Sequence, residues 1–489
     1  MSKPKKEKTE DIANKPMIHS DHAKPKTRRD FLASGLISAG SYLAMPSLLA
    51  MLRSQSAQAL ECSEGGSASG VPGVLCFDLA GGASIAGSNV MVGKQGGQED
   101  FLADYRTLGL PSDIARNVNR ELGLVFHDDS AFLRGILETT TPETRANIEG
   151  AVFCTSSADD TGNNPLNPMY WLNAAGAKGE LAQLVGSRNS ESGGSSRVPS
   201  ASVNPAARPV LITRPQDALN LVQLGKLANL VGADKAQKVL KTIEAMSSQQ
   251  LAKFSNKDLP AQIKDLIKCG YINSADMLNK FTPERLDARN DQEVLAAFDN
   301  LNNNGQSQVA TMAKLLIDGN TGAATVERGG YDYHDGSRST GEVKDFEAGR
   351  LMGQALQLAA LKQRDLIVYA FSDGSVTSSG GVDNSGNGRG KLVWTADSGQ
   401  RGAAFMLYYR AAGKPKLRDS SVRQVGSFKD NGAVDNAASQ ISSNVENLGK
   451  AVAANLLAIQ GREGELASVV GDNPFGSNLN RYLIFDKQD

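Results

Sequence analysis

Several short apolar segments, most of them followed by polar residues, constrain the fold of this chain more than any other feature of its sequence. They cover residues 71–79, 150–154, 209–213, 365–371 and 403–409. Amphipathic helical patterns lie between them, most clearly over residues 341–363 and 437–460. Alternating strand and helix patterns of this kind predict an α/β fold, in which helices flank a sheet on both faces.

Two of the predicted strands end in acidic residues. Asp78 lies near the end of the first strand, just before Gly81 and Gly82, and Asp373 follows the fourth strand. In parallel sheets, ligands bind in the crevice at the carboxyl ends of the strands. We therefore expect the functional site of this protein to lie at Asp78 and Asp373.

Two long segments have a different character. Residues 187–206 are rich in Ser, Gly and Pro, a composition that predicts a flexible loop rather than a strand or a helix. Residues 215–317 show helical periodicity and no strong strand pattern. We interpret them as a mostly helical insertion that covers the sheet.

The sequence GGYDYH at residues 329–334 is the most specific motif beyond the N-terminal region. Its two glycines permit a tight turn. Asp332 and His334 are two residues apart, so their side chains point to the same side of an extended segment. With Asp78 and Asp373 they make an oxygen-rich set of four metal ligands, which suits one Mg²⁺, Ca²⁺ or Mn²⁺ ion better than Zn²⁺.

Hydroxyl groups that follow the predicted strands are candidate nucleophiles, although forming turns is the more common role of serines in such loops. These residues are Ser84, Thr155, Ser156 and Ser157.

The N-terminal region resembles the twin-arginine export signal of bacteria. Residues 27–32 read TRRDFL, a small-residue apolar run covers residues 33–52, and Ala57-Gln58-Ala59 fits a signal peptidase. The resemblance implies a signal peptide over residues 1–59, partnership with the twin-arginine translocation machinery and signal peptidase, folding before export, and a periplasmic or extracellular location. A retained membrane anchor is the alternative, since the apolar run approaches the length of a bilayer span.

Removal of this segment changes the charge of the chain. Residues 1–59 hold ten of the 52 Lys and Arg residues and five of the 53 Asp and Glu residues, so residues 60–489 have a formal charge of −6. A chain of this charge without a basic patch is poorly suited to nucleic acid, which we exclude as a partner. No other segment has the length and apolar character of a membrane span, so none is expected after processing.

The four cysteines are Cys62, Cys76, Cys154 and Cys269, and none lies in a CxxC motif. Cys76 and Cys154 lie in apolar runs, which predicts small core residues rather than reactive thiols. An oxidising compartment permits disulfides. Cys62, beside the new N-terminus, is the better candidate for a disulfide that holds this end of the chain in place.

The order of the motifs resembles a family of exported bacterial proteins of unknown function within the alkaline phosphatase/sulfatase superfamily. GGYDYH at 329–334 is the close match; FSD at 371–373 and GGVD at 380–383 match in part. The resemblance implies an alkaline phosphatase-like sheet over residues 60–489. It also implies metal-dependent hydrolysis of phosphate, sulfate or related esters.

The chain departs from this family in its histidines. After residue 59 it has two, His127 and His334, and Asn384 stands where the family pattern has a histidine. A two-zinc site needs more imidazole ligands than these. His127 lies just before a predicted helix and is expected to be structural. The alternative to a hydrolase is a non-catalytic periplasmic binding or assembly protein on the same fold, with a decayed metal site.

Overall fold

The computed structural model describes residues 70–157, 167–221 and 281–489. The predicted signal peptide, residues 222–280 of the predicted insertion, Cys62 and Cys269 lie outside the described residues.

Strands are distributed along the whole of the described chain. They are β1 (Gly73–Ala80), β2 (Val118–Asn119), β3 (Phe126–His127), β4 (Ile148–Thr155), β5 (Ala182–Gly186), β6 (Val210–Leu211), β7 (Thr321–Gly329), β8 (Leu366–Ser372), β9 (Val376–Thr377), β10 (Val382–Asp383), β11 (Lys391–Leu392), β12 (Ala396–Asp397), β13 (Gly402–Tyr409) and β14 (Gln424–Val425).

Eight of these strands form one sheet in the order β14-β4-β13-β8-β1-β7-β5-β6. Within it β13 runs antiparallel to its neighbours β4 and β8, and the other described pairs are parallel. The α/β fold predicted from the sequence is confirmed by this mostly parallel sheet and its flanking helices.

The α-helices that flank the sheet are α1 (Ala131–Thr139), α2 (Pro142–Ala146), α3 (Met169–Ala174), α4 (Pro283–Leu286), α5 (Gln292–Ala297), α6 (Asn304–Ile317), α7 (Ser339–Leu361), α8 (Val445–Ile459) and α9 (Leu466–Val470). Short 3-10 helices cover Arg106–Leu108, Ser200–Ser202, Pro205–Ala207, Pro215–Leu221, Ala288–Asn290, Glu463–Glu465 and Gly476–Tyr482. None of the helices in the described parts of the chain is both long and apolar enough to cross a membrane.

Apolar side chains cover the two faces of the sheet. On one face, Cys76 and other strand residues pack with Trp171 of α3 and Leu448 of α8 in one buried cluster. On the other face, the Phe132 ring of α1 lies 5.9 Å from the Phe405 ring of β13. Cys76 and Cys154 are buried free thiols, as predicted for small core residues.

Central strand β7 was not predicted from the sequence. Its residues TGAATVERG include Val326 as the one large aliphatic side chain, so the strand lacks the apolar run that marks its neighbours. No side chain fits at Gly322, because the backbone of a neighbouring loop lies against the strand there: a Cβ atom would collide with Ala177 O. Close packing against backbone therefore replaces the usual large side chains.

The two segments of unusual composition also have definite structure where they are described. Residues 187–206, predicted as a loop without helix, include the 3-10 turn Ser200–Ser202 and the start of the 3-10 turn Pro205–Ala207. The described residues of the predicted insertion include the 3-10 helix Pro215–Leu221, the 3-10 turn Ala288–Asn290 and the helices α4 to α6.

Candidate metal centre

The four predicted site residues lie at one edge of the sheet. Strands β8, β1 and β7 are adjacent and parallel, so their carboxyl ends lie side by side. Asp78 is near the end of β1, Asp373 follows β8, and Asp332 and His334 follow β7. The loop after β1 contacts both neighbours: Gly81 N donates to Asp373 Oδ1 at 2.7 Å, and Ala80 O accepts from Tyr331 N.

Three side chains converge at this edge into a group that can hold a metal ion. His334 Nε2 lies 2.6 Å from Asp332 Oδ1 and 3.2 Å from Asp397 Oδ1. All three potential ligand atoms lie within 4.8 Å of one another. One imidazole nitrogen and two carboxylate oxygens are ligands that a divalent cation accepts, and remaining coordination positions are open to water or substrate. We call Asp332, His334 and Asp397 the ligand cluster.

Alternation along the GGYDYH segment places two of the three residues of the ligand cluster. Tyr331 and Tyr333 point inward and are almost fully buried. Asp332 and His334 point outward, with 66% and 35% of their side chains exposed. As the sequence pattern predicted, the two outward side chains lie on the same side of the segment.

Asp397 was not predicted from the sequence. It belongs to β12, which pairs antiparallel with β9, and Asp397 is opposite Val376 in that ribbon. The surrounding residues, TADSG, contain no glycine pair or apolar run that would mark a functional loop. The pairing of β12 with β9, and hydrogen bonds of Trp394 with Gly336 N and Ser337 O, bring Asp397 to His334.

Asp78 and Asp373 bind backbone groups instead of joining the ligand cluster. Asp78 is buried, and its Oδ2 accepts from Ser195 N at 2.9 Å and from Ser196 N at 2.8 Å. Burial raises the pKa of Asp78 to about 6, against the hydrogen bonds that lower it. Asp373 accepts from Gly81 N. Both carboxylates hold loops at this edge, and the group of three converging ligand atoms includes neither of them.

The four predicted hydroxyl nucleophiles are all engaged in hydrogen bonds. Ser84 Oγ pairs with Ser88 Oγ, Thr155 Oγ1 donates to Ile441 O, Ser156 Oγ donates to Asn436 Oδ1, and Ser157 Oγ donates to Asp373 O.

His127 has a structural environment. Its Nε2 lies 2.9 Å from Ile114 O, and its Nδ1 accepts from Asp129 N at 3.2 Å. The ring is buried, and this burial lowers the pKa of His127.

A buried carboxyl group supports the segment that carries the ligand cluster. Asp345 of α7 accepts from Tyr333 Oη at 3.0 Å and from Asn89 Nδ2 at 2.7 Å. Tyr333 Oη in turn accepts from Ser84 N at 2.6 Å. Burial, reinforced by the charge of Glu342, raises the pKa of Asp345 to about 7.

The raised pKa predicts a pH dependence of stability that is specific to Asp345. The folded protein protonates this carboxyl below about pH 7, and the unfolded chain protonates it only below about pH 4. Proton uptake therefore stabilises the fold in this window, and the contribution is lost as the pH rises through 7. Relative to Asp345→Asn, the wild type should gain roughly 2–3 kcal/mol of unfolding free energy between pH 8 and pH 5.

Urea unfolding at pH 5 and pH 8 measures this difference. Asp383→Asn is the matched control, because hydrogen bonds led by Ser385 lower the pKa of Asp383 to about 2, and its protonation does not change over this range. The prediction would be contradicted if wild type and Asp345→Asn differed in unfolding free energy by the same amount at both pH values.

No family model, curated protein or solved structure matches this chain.

Proposed function

We propose that this protein is an exported, divalent-metal-dependent hydrolase of phosphate, sulfate or related esters. The observation that carries the proposal is the convergence of Asp332, His334 and Asp397 within 4.8 Å at the carboxyl edge of the sheet. The motif resemblance at residues 329–334 and the N-terminal TRRDFL segment support the hydrolase class and the export to the periplasm or beyond.

The proposed chemistry divides between the cation and the chain. A divalent cation supplies Lewis-acid stabilisation of the charge that develops on the ester oxygens. Asp332 and Asp397 provide the negative charge that would hold the cation. The Nε2 atom of His334, close to both carboxylates, provides the nitrogen ligand. The ligand side chains are between 35% and 66% exposed, so an ester can approach them from solvent.

Water is the proposed attacking group. The hydroxyls of Ser84, Thr155, Ser156 and Ser157 are all bonded to other protein groups. Freeing one of them to attack costs its hydrogen bond, and the exposed ligand cluster already admits water. We therefore propose no covalent intermediate on any of these four hydroxyls.

A non-catalytic binding or assembly protein is the second candidate. The observation that favours it is the shortage of imidazole: His127 is buried in a structural role, which leaves His334 as the one histidine of the ligand cluster. In this alternative the cluster binds a cation without hydrolysing an ester.

Assays with and without metal separate the two candidates. Chelator-treated protein should hydrolyse p-nitrophenyl phosphate, p-nitrophenyl sulfate or bis(p-nitrophenyl) phosphate after addition of Mn²⁺, and Asp332→Asn should lower kcat/KM by about 100-fold or more. Asp335→Asn is the matched control, because Asp335 lies outside the ligand cluster and its carboxylate accepts from Ser337 N. Uptake of Mn²⁺ without hydrolysis of any of these esters would favour the binding protein.

A further inference from the structure

Arg401 lies at the same edge of the sheet as the ligand cluster. It directly precedes β13, the antiparallel strand, so its position is next to the carboxyl ends of β4 and β8. Gly402 pairs with Thr155 at the end of β4. The turn that carries Arg401 is bound to this edge, because Gly399 O accepts from Ser157 N at 3.1 Å.

The guanidinium group of Arg401 has far fewer partners than it has donors. Its Nη1 donates to Ser398 Oγ at 2.8 Å. Its Nε is buried without a hydrogen-bond partner. Within the described chain, no carboxylate lies within ion-pairing distance of this side chain. Partial burial without a compensating acid lowers the pKa of Arg401.

Other arginines with an unbonded buried Nε differ from Arg401 in their ion pairs. Arg134 lies 2.7 Å from Glu342, Arg350 lies 2.8 Å from Asp299, and Arg418 lies 2.6 Å from Glu463. A guanidinium that loses water without gaining an anion is energetically unfavourable, and an anionic ligand would supply the missing acceptor.

A short turn connects Arg401 to the ligand cluster. Asp397 supplies one of the three ligand atoms, and the next residue, Ser398, accepts from Arg401 Nη1. The same Ser398 Oγ accepts from Gln400 N at 3.3 Å, and Ser398 N donates to Ser375 O at 2.7 Å. The guanidinium is therefore held on the same turn as Asp397.

We infer that Arg401 binds the oxyanion group of the ligand that binds at the ligand cluster. The ligand class is a small molecule with a phosphate, sulfate or carboxylate group. With a divalent cation present, the two carboxylates of the cluster are neutralised, and Arg401 adds the positive charge that favours an anion. This inference rests on the proposed function, because it takes the cation to be bound at the ligand cluster.

Phosphate binding tests the inference when it is measured separately from metal binding. Calorimetric titration of the Mn²⁺-loaded protein with inorganic phosphate should show binding in the wild type. The phosphate affinity of Arg401→Gln should be lower by about tenfold or more. Mn²⁺ affinity, measured by the electron paramagnetic resonance of free Mn²⁺, should be the same in both proteins. Parallel titrations with sulfate and acetate distinguish a tetrahedral oxyanion from a carboxylate.

Arg410→Gln is the matched control. Arg410 follows the other end of β13, where its Nη2 donates to Asp489 O at 2.8 Å. The substitution Arg410→Gln removes the same charge at the opposite edge of the sheet, so phosphate affinity should be unchanged. Equal phosphate affinity in wild type and Arg401→Gln would overturn the inference and leave the metal proposal standing. A wild type that binds no Mn²⁺ would instead overturn the proposed function.

Discussion

Replacement of Gly81 by Ala is expected to lower the free energy of unfolding by roughly 3–5 kcal/mol and to weaken Mn²⁺ binding. Gly81 has φ +121, a conformation that L residues rarely adopt. A Cβ atom here would collide with Asp332 N and would lie 2.9 Å from Tyr331 C. Because both are backbone atoms, no side-chain rotation relieves the collision, and the segment that carries Asp332 must shift.

Gly413→Ala separates the collision from the backbone strain. Gly413 has φ +116, nearly the same conformation, and no atom lies within 4 Å of the position of its Cβ. This control should cost about 1–2 kcal/mol, the strain alone, and leave Mn²⁺ binding unchanged. Urea unfolding of both variants measures the difference. Equal losses of stability would contradict the close approach of the β1 loop to the GGYDYH segment.

Substitution of Asp397 by Asn should lower Mn²⁺ affinity by about 100-fold or more. The change removes a charged oxygen ligand and keeps nearly the same volume, so the fold should be retained. Asp397 is 44% exposed and pairs with His334, so its loss leaves no buried charge unpaired. Titration of the protein with Mn²⁺, with free Mn²⁺ followed by electron paramagnetic resonance, gives the affinity.

Asp373→Asn is the control for this substitution. Asp373 lies at the same edge, but its Oδ1 accepts from Gly81 N, and an Asn side-chain oxygen can accept the same hydrogen bond. Mn²⁺ affinity should therefore change much less than it does on the loss of a direct ligand. A large loss of affinity in Asp373→Asn together with normal affinity in Asp397→Asn would favour the ligand set suggested by the sequence.

Local patterns in the sequence predicted much of the fold. The apolar runs that became β1, β4, β8 and β13 were visible because large side chains fill both faces of these strands. Strand β7 escaped prediction, since close contact with backbone at Gly322 requires small residues. A strand with large buried side chains is visible in the sequence as an apolar run. A strand that packs closely against backbone has small residues instead, and the sequence pattern does not predict it.

The candidate site was predictable to the extent that its residues are close in sequence. Asp332 and His334 are two residues apart, and the alternation of an extended segment placed them together. Asp397 comes from a separate strand ribbon, and nothing near it in the sequence indicates that His334 is its neighbour. Asp78 illustrates the opposite case: its position at a strand end suggested a ligand, and Ser195 N and Ser196 N bind its carboxylate instead.

Anomalous diffraction from crystals grown with Mn²⁺ would locate a cation bound at the ligand cluster. We expect one Mn²⁺ peak at the sheet edge, about 2.0–2.3 Å from the ligand atoms of Asp332, His334 and Asp397. A peak between Asp78 and Asp373, or no peak near His334 at a saturating Mn²⁺ concentration, would contradict it.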